Sequence, residues 1–272
     1  MSIAPSPQQI AAIEKQGVVF VSAGAGTGKT MLAAEIARTK ASEGKRTVLM
    51  APSRYLAIHL ESQPQMGEVQ IEVAGPRPAN VEKCEVLVLD EAQDVLDFDG
   101  LQLFDDWVEG GLDRGEWRAF LDHQSQADLA GRFDSEVFAM LCEAASTSHP
   151  LPLTQNCRNT GEIVTYVKLL TGADIGVTTN KHGVGVIVEY SSNKEEEARF
   201  LTNFLRRLED DNVPPGDVTI ISSATNNSCI ELLPDQLRKT IKSFELIITI
   251  IPSIELRIRI GYSILYSLKV FK

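Results

Sequence analysis

Gly26-Thr27-Gly28-Lys29-Thr30 sets a lysine and a hydroxyl behind a run of small residues, and Asp90-Glu91 sets two adjacent carboxylates behind an apolar run. Those residue types together can bind a phosphorylated ligand and hydrolyse it. Small residues at Ala25, Gly26, Thr27 and Gly28 let successive backbone N–H groups turn inward around phosphate oxygens. A helix that starts just after them adds the partial positive charge of its N-terminus. Lys29 can reach β- and γ-phosphates, and the Thr30 hydroxyl can ligate Mg²⁺. Asp90 suits holding the same ion, usually through water, and Glu91 suits orienting and deprotonating an attacking water. That adjacent base separates hydrolysis from binding alone.

Chemistry of this kind needs a scaffold that brings the two stretches together. Val18–Val21 reads as a buried strand, and Met31, Leu32 and Ile36 recur at helical spacing. Strand, glycine loop, Gly-Lys-Thr and helix form the phosphate-loop arrangement. The first glycine of the G-x-x-x-x-G-K-[ST] pattern is Ala23 here, which fits the turn while its φ stays negative. Val86–Leu89 is wholly apolar and ends at Asp90; a carboxylate at the C-terminal end of a parallel strand faces the ligand crevice.

Further strands are expected at Thr47–Ala51, Val69–Ala74 and Trp117–Leu121. Helices are expected from the loop to Glu43, at Arg54–Glu61, within Leu96–Leu112, near Asp134–Ala145 and at Gly161–Leu170. The alternation predicts an α/β protein, a parallel sheet with helices on both faces. His149–Leu153 leads into the Arg158 segment and the helix Gly161–Leu170, and the polar, glycine-containing stretch Gly172–Gly185 reads as a turn into a second, partial lobe. That lobe is read as a strand Val184–Tyr190, a charged helix Asn193–Leu208 with a solvated face, a Pro-Pro-Gly turn at Pro214–Gly216 and a strand Val218–Ser222. The predicted division is 1–150, 151–238 and a tail, 239–272.

The chain has 272 residues, 43% of them hydrophobic, enough for one large or two small cores. Its formal net charge of −11 argues against a protein held to nucleic acid or acidic lipid by bulk charge, without excluding a local basic groove. Cys84, Cys142, Cys157 and Cys229 lie far apart with no C-x-x-C pair, which argues against a zinc site or a disulfide framework and makes a reducing cytosol the default. Residues 1–17 lack the pattern of a signal peptide, and no apolar run reaches the length of a membrane span. A cytoplasmic protein with no membrane partner is the expectation.

In order along the chain, these motifs resemble superfamily-one DNA/RNA helicases of the UvrD/Rep-like group. AGAGTGKT (Ala23–Thr30) resembles their phosphate loop, and DEAQD (Asp90–Asp94) their Mg²⁺ and hydrolysis motif. PQQIAAI (Pro7–Ile13) resembles the N-terminal glutamine motif, which implies that Gln9 reads the adenine edge. TVLMAPSRYLAIHL (Thr47–Leu60) sits where the family has a strand and a segment that contacts single strands. WRAFLDHQSQ (Trp117–Gln126) resembles the third motif, with Leu121-Asp122 at its usual Gly-Asp start; Gln124 and Gln126 compete as γ-phosphate sensor, and Gln126 is preferred. LTQNCRNT (Leu153–Thr160) resembles the L-T-x-N-Y-R segment, which makes Arg158 an arginine finger between two RecA-like lobes. The resemblance implies ATP and Mg²⁺ as cofactors and single-stranded DNA or RNA as partner. The interval from Lys29 to Asp90 leaves no room for the subdomain that large members insert there, so the chain resembles a compact relative.

From about Lys239 the composition turns to Ile, Leu, Ser and Lys. Thr240–Phe244 resembles the start of a T-I-x-x-F-K-G-L-E segment whose remainder does not follow. The family's last arginine motif is also missing; Arg257 and Arg259 stand in an alternating, strand-like run. A truncated, divergent or out-of-frame end is preferred over a short variant whose last strands close the sheet. Three functions are weighed: a helicase-type ATPase, an ATP-dependent regulatory switch without translocation, and a small-molecule kinase. The Glu91 and Gln93 context, and the lack of a lid with paired arginines, count against the kinase.

Overall fold

The computed structural model describes residues 7–14, 19–122, 133–145, 151–178, 183, 185–218, 220 and 229–243. The chain divides into two compact units, Met1–Val186 and Ile187–Lys272.

The first unit is built on β1 (Val19–Ala23), β2 (Thr47–Ala51), β3 (Gln70–Val73), β4 (Val86–Leu89), β5 (Glu116–Leu121) and β6 (Leu151–Leu153). They form one six-stranded sheet in the order β3-β2-β4-β5-β1-β6, every neighbouring pair parallel. The helices are α1 (Pro7–Glu14), α2 (Lys29–Ser42), α3 (Arg54–Glu61), α4 (Phe98–Trp107), α5 (Gly111–Arg114), α6 (Ser135–Ala144) and α7 (Gly161–Thr171).

Apolar runs such as TVLMA and VLVL hide an alternation, because successive side chains point to opposite faces of a sheet. Val21, Leu49, Ala51, Val86, Val88 and Phe120 pack against Leu32, Ala33, Ile36 and Ala37 of α2 and against Ala57 and Leu60 of α3. Val48, Met50, Leu87, Leu89, Trp117, Ala119 and Leu121 pack against Phe104 and Trp107 of α4 and against Val137 and Leu141 of α6. Helices therefore cover both faces, as the alternation of elements predicts. The two indoles keep their N–H groups satisfied, Trp107 on Gly75 O at 2.8 Å and Trp117 on Leu112 O at 2.9 Å.

Leu151–Leu153 pairs in parallel with Val21–Ala23, so these residues belong to the first unit's sheet. A two-stranded parallel pair follows, β7 (Gln155–Asn156) with β8 (Val177–Thr178), also within the first unit. The compact division falls after Val186 rather than after residue 150.

At the amino end of the sheet, Arg118 of β5 is fully buried. It donates to Glu116 Oε1 at 3.1 Å, and Glu116 also receives Lys45 at 2.7 Å and Lys40 at 3.4 Å. Burial pushes the Glu116 carboxyl up, but Lys45, Arg118 and Lys40 outweigh it and hold the group below its usual range. Removing Glu116 would leave a buried guanidinium with two further cations nearby. Glu116→Ala is expected to cost about 3 kcal/mol, the low end for breaking a buried pair since Glu116 keeps some exposure. Urea melts of the two proteins check it.

The second unit has α8 (Lys194–Asp210) and α9 (Asp235–Ser243), with 3-10 turns at Pro215–Asp217 and Cys229–Leu232. Asn193 caps α8 by accepting from Glu196 N at 2.8 Å, while Glu196 Oε2 accepts from Ser192 N, one residue before the cap, at 2.9 Å. Ala198 and Leu201 of α8 pack on Ile220, Cys229 and Leu233, so the charged helix has a buried stripe as well as a solvated face.

Residue 184 lies outside the described residues, and the rest of the strand expected at Val184–Tyr190, residues 185–190, is irregular and exposed. Its β-branched residues suit a strand, but a strand needs a partner ladder, and Gly183 and Gly185 weaken the run. Of the other expectation in this unit, Val218–Ser222, residues 219, 221 and 222 lie outside the described residues, as does the tail from residue 244, with Arg257 and Arg259. The helix α9 crosses the predicted boundary at 238/239.

Candidate nucleotide site

The strands β4, β5 and β1 are neighbours, so their carboxyl ends bring Asp90, Asp122 and the 24–28 loop to one edge of the sheet. Ala23 is still paired with Leu153 in the ladder and so keeps strand geometry, which is how alanine is tolerated at that position. Gly26 and Gly28 both have φ of 86°, a left-handed conformation that favours glycine. A Cβ on Gly26 would also lie 2.7 Å from Asn156 Oδ1 and from Asn159 Nδ2. Gly28 is the N-cap of α2 and offers no side-chain cap, whereas Ser53, Asp97, Asp134 and Asn193 cap α3, α4, α6 and α8 with their side chains. The first-turn N–H groups of α2 thus remain available to an anion.

Each predicted site residue among the described ones has a definite place. Thr27 is buried, and its hydroxyl donates to Gly24 O at 2.8 Å. Lys29 is 5% exposed; its Nζ lies 3.4 Å from Gly24 O and 3.7 Å from Glu91 Oε2. Asp90 is 4% exposed, accepts from Glu91 N at 3.1 Å on Oδ1, and leaves Oδ2 buried without a hydrogen-bond partner. Burial, then the Glu91 charge, pushes its carboxyl up to about 6, against the pull of Thr30 and Lys29. Glu91 itself sits at φ 50°, an unusual backbone state for a non-glycine residue. Gln9 donates from Nε2 to Thr27 O at 3.1 Å, which ties α1 to the loop. Arg158 is exposed, and its backbone N–H donates to Gly26 O at 3.2 Å. Gln124 and Gln126 lie outside the described residues.

Two residues bring more to the site than their sequence context assigned. Gln93 is buried between Glu91 and the end of β5. Asn156, 0% exposed, clamps the loop from the β7 side: Nδ2 donates to Ala25 O at 2.8 Å and to Ile175 O at 2.9 Å, and Oδ1 accepts from Asn159 N at 2.9 Å. Beside it, Cys157 N donates to Gly26 O at 2.9 Å. Its loop partner, Ala25, is 131 residues away in sequence, so only a long-range contact could have revealed the role. Asn156→Ala strands buried carbonyls and is expected to cost about 2–4 kcal/mol. Thermal melts check the loss, and weaker nucleotide binding should accompany it.

The raised Asp90 carboxyl makes folding less favourable as pH rises. An acid titrating near 6 when folded and 3.8 when unfolded costs nothing below pH 3.8. Its cost grows as pH rises, reaching on the order of 2–3 kcal/mol above pH 6. Asp90→Asn, whose amide can donate to the Thr30 hydroxyl, is therefore expected to melt higher than the wild type at pH 7.5. The gain should shrink to about 0.5 kcal/mol at pH 4, and paired melts at the two pH values read it.

The fold and this edge define an α/β domain of the P-loop nucleotide-binding class. Residues 5–111 match the family model described as an AAA domain. No curated protein matches. Among solved structures the chain is similar to the Hef helicase domain of Pyrococcus furiosus, with 14% identity and a TM-score of 0.39 over 88% of this chain and 52% of that one. The chain thus spans about half the length of that domain. Among the described residues no helix is long and apolar enough to cross a membrane.

Proposed function

We propose that the chain binds ATP with Mg²⁺ and hydrolyses it, as a helicase-like ATPase of the superfamily-one kind acting on single-stranded DNA or RNA. One observation carries the reading: Lys29 Nζ and Glu91 Oε2 lie 3.7 Å apart beside the glycine loop, a phosphate-binding cation and a base within reach of one phosphoryl group.

The loop N–H groups from Ala25 to Thr30 hold the phosphate chain, and Lys29 exchanges Gly24 O for phosphate oxygens. Asp90 and Thr30 are the residues that would hold Mg²⁺; the partnerless Oδ2 of Asp90 fits that demand, as Mg²⁺ needs few protein ligands when phosphates supply others. Bound there, the ion would neutralise charge on the phosphates. Glu91 accepts the proton of a water that attacks the γ-phosphorus. The bond between that phosphorus and the bridging oxygen breaks, and ADP and phosphate leave. Gln9 faces the base, Gln126 senses the γ-phosphate, and Arg158 serves as the arginine finger.

The Lys29–Glu91 pair also favours a second reading, an ATP-dependent switch, because it occupies the base until a phosphate separates the two. Steady-state ATP hydrolysis with and without single-stranded DNA and RNA divides the readings. Stimulation by a strand supports the motor-type ATPase, whereas slow turnover indifferent to both strands favours the switch. An absence of turnover under every condition overturns hydrolysis.

A further inference from the structure

Gln93 lies two residues beyond the proposed base and is 1% exposed. Its Nε2 donates to Glu91 Oε2 at 2.8 Å, and its Oε1 accepts from Asp122 N at 3.0 Å. The orientation of the amide is not arbitrary. A backbone N–H can only donate, so the oxygen must face Asp122 and the NH₂ must face the carboxylate. One side chain thus ties the carboxyl end of β4 to that of β5 and presents a donor to one oxygen of Glu91. Glu91 needs such a tie. Its backbone is left-handed at φ 50°, and its cationic partner, Lys29, is called away when phosphate binds.

We propose that Gln93 is a positioning residue: it holds the Glu91 carboxylate in register with the end of β5 while Lys29 transfers to the nucleotide. The proposal rests on the hydrolysis reading above for its kinetic consequence, but the contact itself can be tested without turnover. Gln93 touches neither phosphate nor water in this role; it acts through Glu91. A carboxylate held by a fixed donor keeps its free oxygen aimed at one place; partners that orient metal-ligating side chains in the same way are worth about 10–100-fold in affinity or activity.

Gln93→Glu separates this role from a merely structural one. The new side chain keeps an acceptor for Asp122 N–H and the same volume, but replaces the donor facing Glu91 with a second carboxylate. Turnover should fall about 10–100-fold, while the Kd for a non-hydrolysable ATP analogue stays within about twofold. The melting midpoint should also fall. Adding Glu91→Gln to the variant reverses donor and acceptor, so the amide at 91 can donate to the carboxylate at 93. Melting should then recover beyond the sum of the single changes, with turnover still lost. A Gln93→Glu protein that turns over at the wild-type rate overturns the proposal. So does a loss of analogue affinity that parallels the loss of turnover, or a double variant whose melting change is only additive. A wild type that does not hydrolyse ATP defeats the hydrolysis reading, and the melting cycle still decides the contact.

Discussion

Glu91→Gln is expected to slow ATP turnover by about 100–10,000-fold, the range for loss of a positioned general base, with nucleotide affinity retained or increased. The amide keeps the size of the side chain and an acceptor for Gln93, so the end of β4 should hold its shape. What is lost is the ability to take a proton from water. Affinity should not suffer, because Lys29 no longer shares its charge with a carboxylate 3.7 Å away. Single-turnover chase experiments beside equilibrium titration with a fluorescent ATP analogue separate the two effects. A loss below about tenfold would move the role of base to another residue.

Lys29→Ala is expected to act on binding instead. Lys29 is the cation that holds down both the Asp90 and the Asp94 carboxyls, each pushed up by burial and by the Glu91 charge. Without the ammonium, an incoming triphosphate meets a site whose fixed charges are acidic. It also loses the charge-assisted hydrogen bonds of the lysine, roughly 1.5–3 kcal/mol each. Two such contacts correspond to about a hundredfold or more in Kd, and turnover at ordinary ATP concentrations should disappear. The same titration reads it. A variant that binds as tightly as the wild type would show that Lys29 serves Glu91 rather than phosphate.

Local signals made much of the first unit legible. Thr47–Ala51 and Arg54–Glu61 form where the sequence places them, because an unbroken apolar run and a Ser53 cap are local devices. The phosphate loop and the Asp90 turn were legible for the same reason: glycine φ and strand ends are set within a few residues. Contacts between distant segments were not. Nothing in Leu151–Leu153 announces that it pairs with β1, and a proline in a three-residue strand argues against it. Asn156 reads as one polar residue in a motif, yet its amide closes the loop from across the sequence. Arg118 looks like an interruption in the WRAFL strand, yet its guanidinium is buried against the Glu116 carboxylate and donates to Trp117 O. In Val184–Tyr190 the failure ran the other way: residue preference favoured a strand, but residues 185–190 remain irregular and exposed.

The whole functional reading depends on the 24–30 loop, with Asp90 and Glu91, binding phosphate. Calorimetric titration with ATP, ADP and adenosine in the presence of Mg²⁺ tests it most directly. Saturable ATP binding, weaker ADP binding, no adenosine binding over the same range, and loss of the ATP signal in Lys29→Ala are expected. Adenosine binding as tightly as ATP, or Lys29→Ala binding ATP like the wild type, would contradict it.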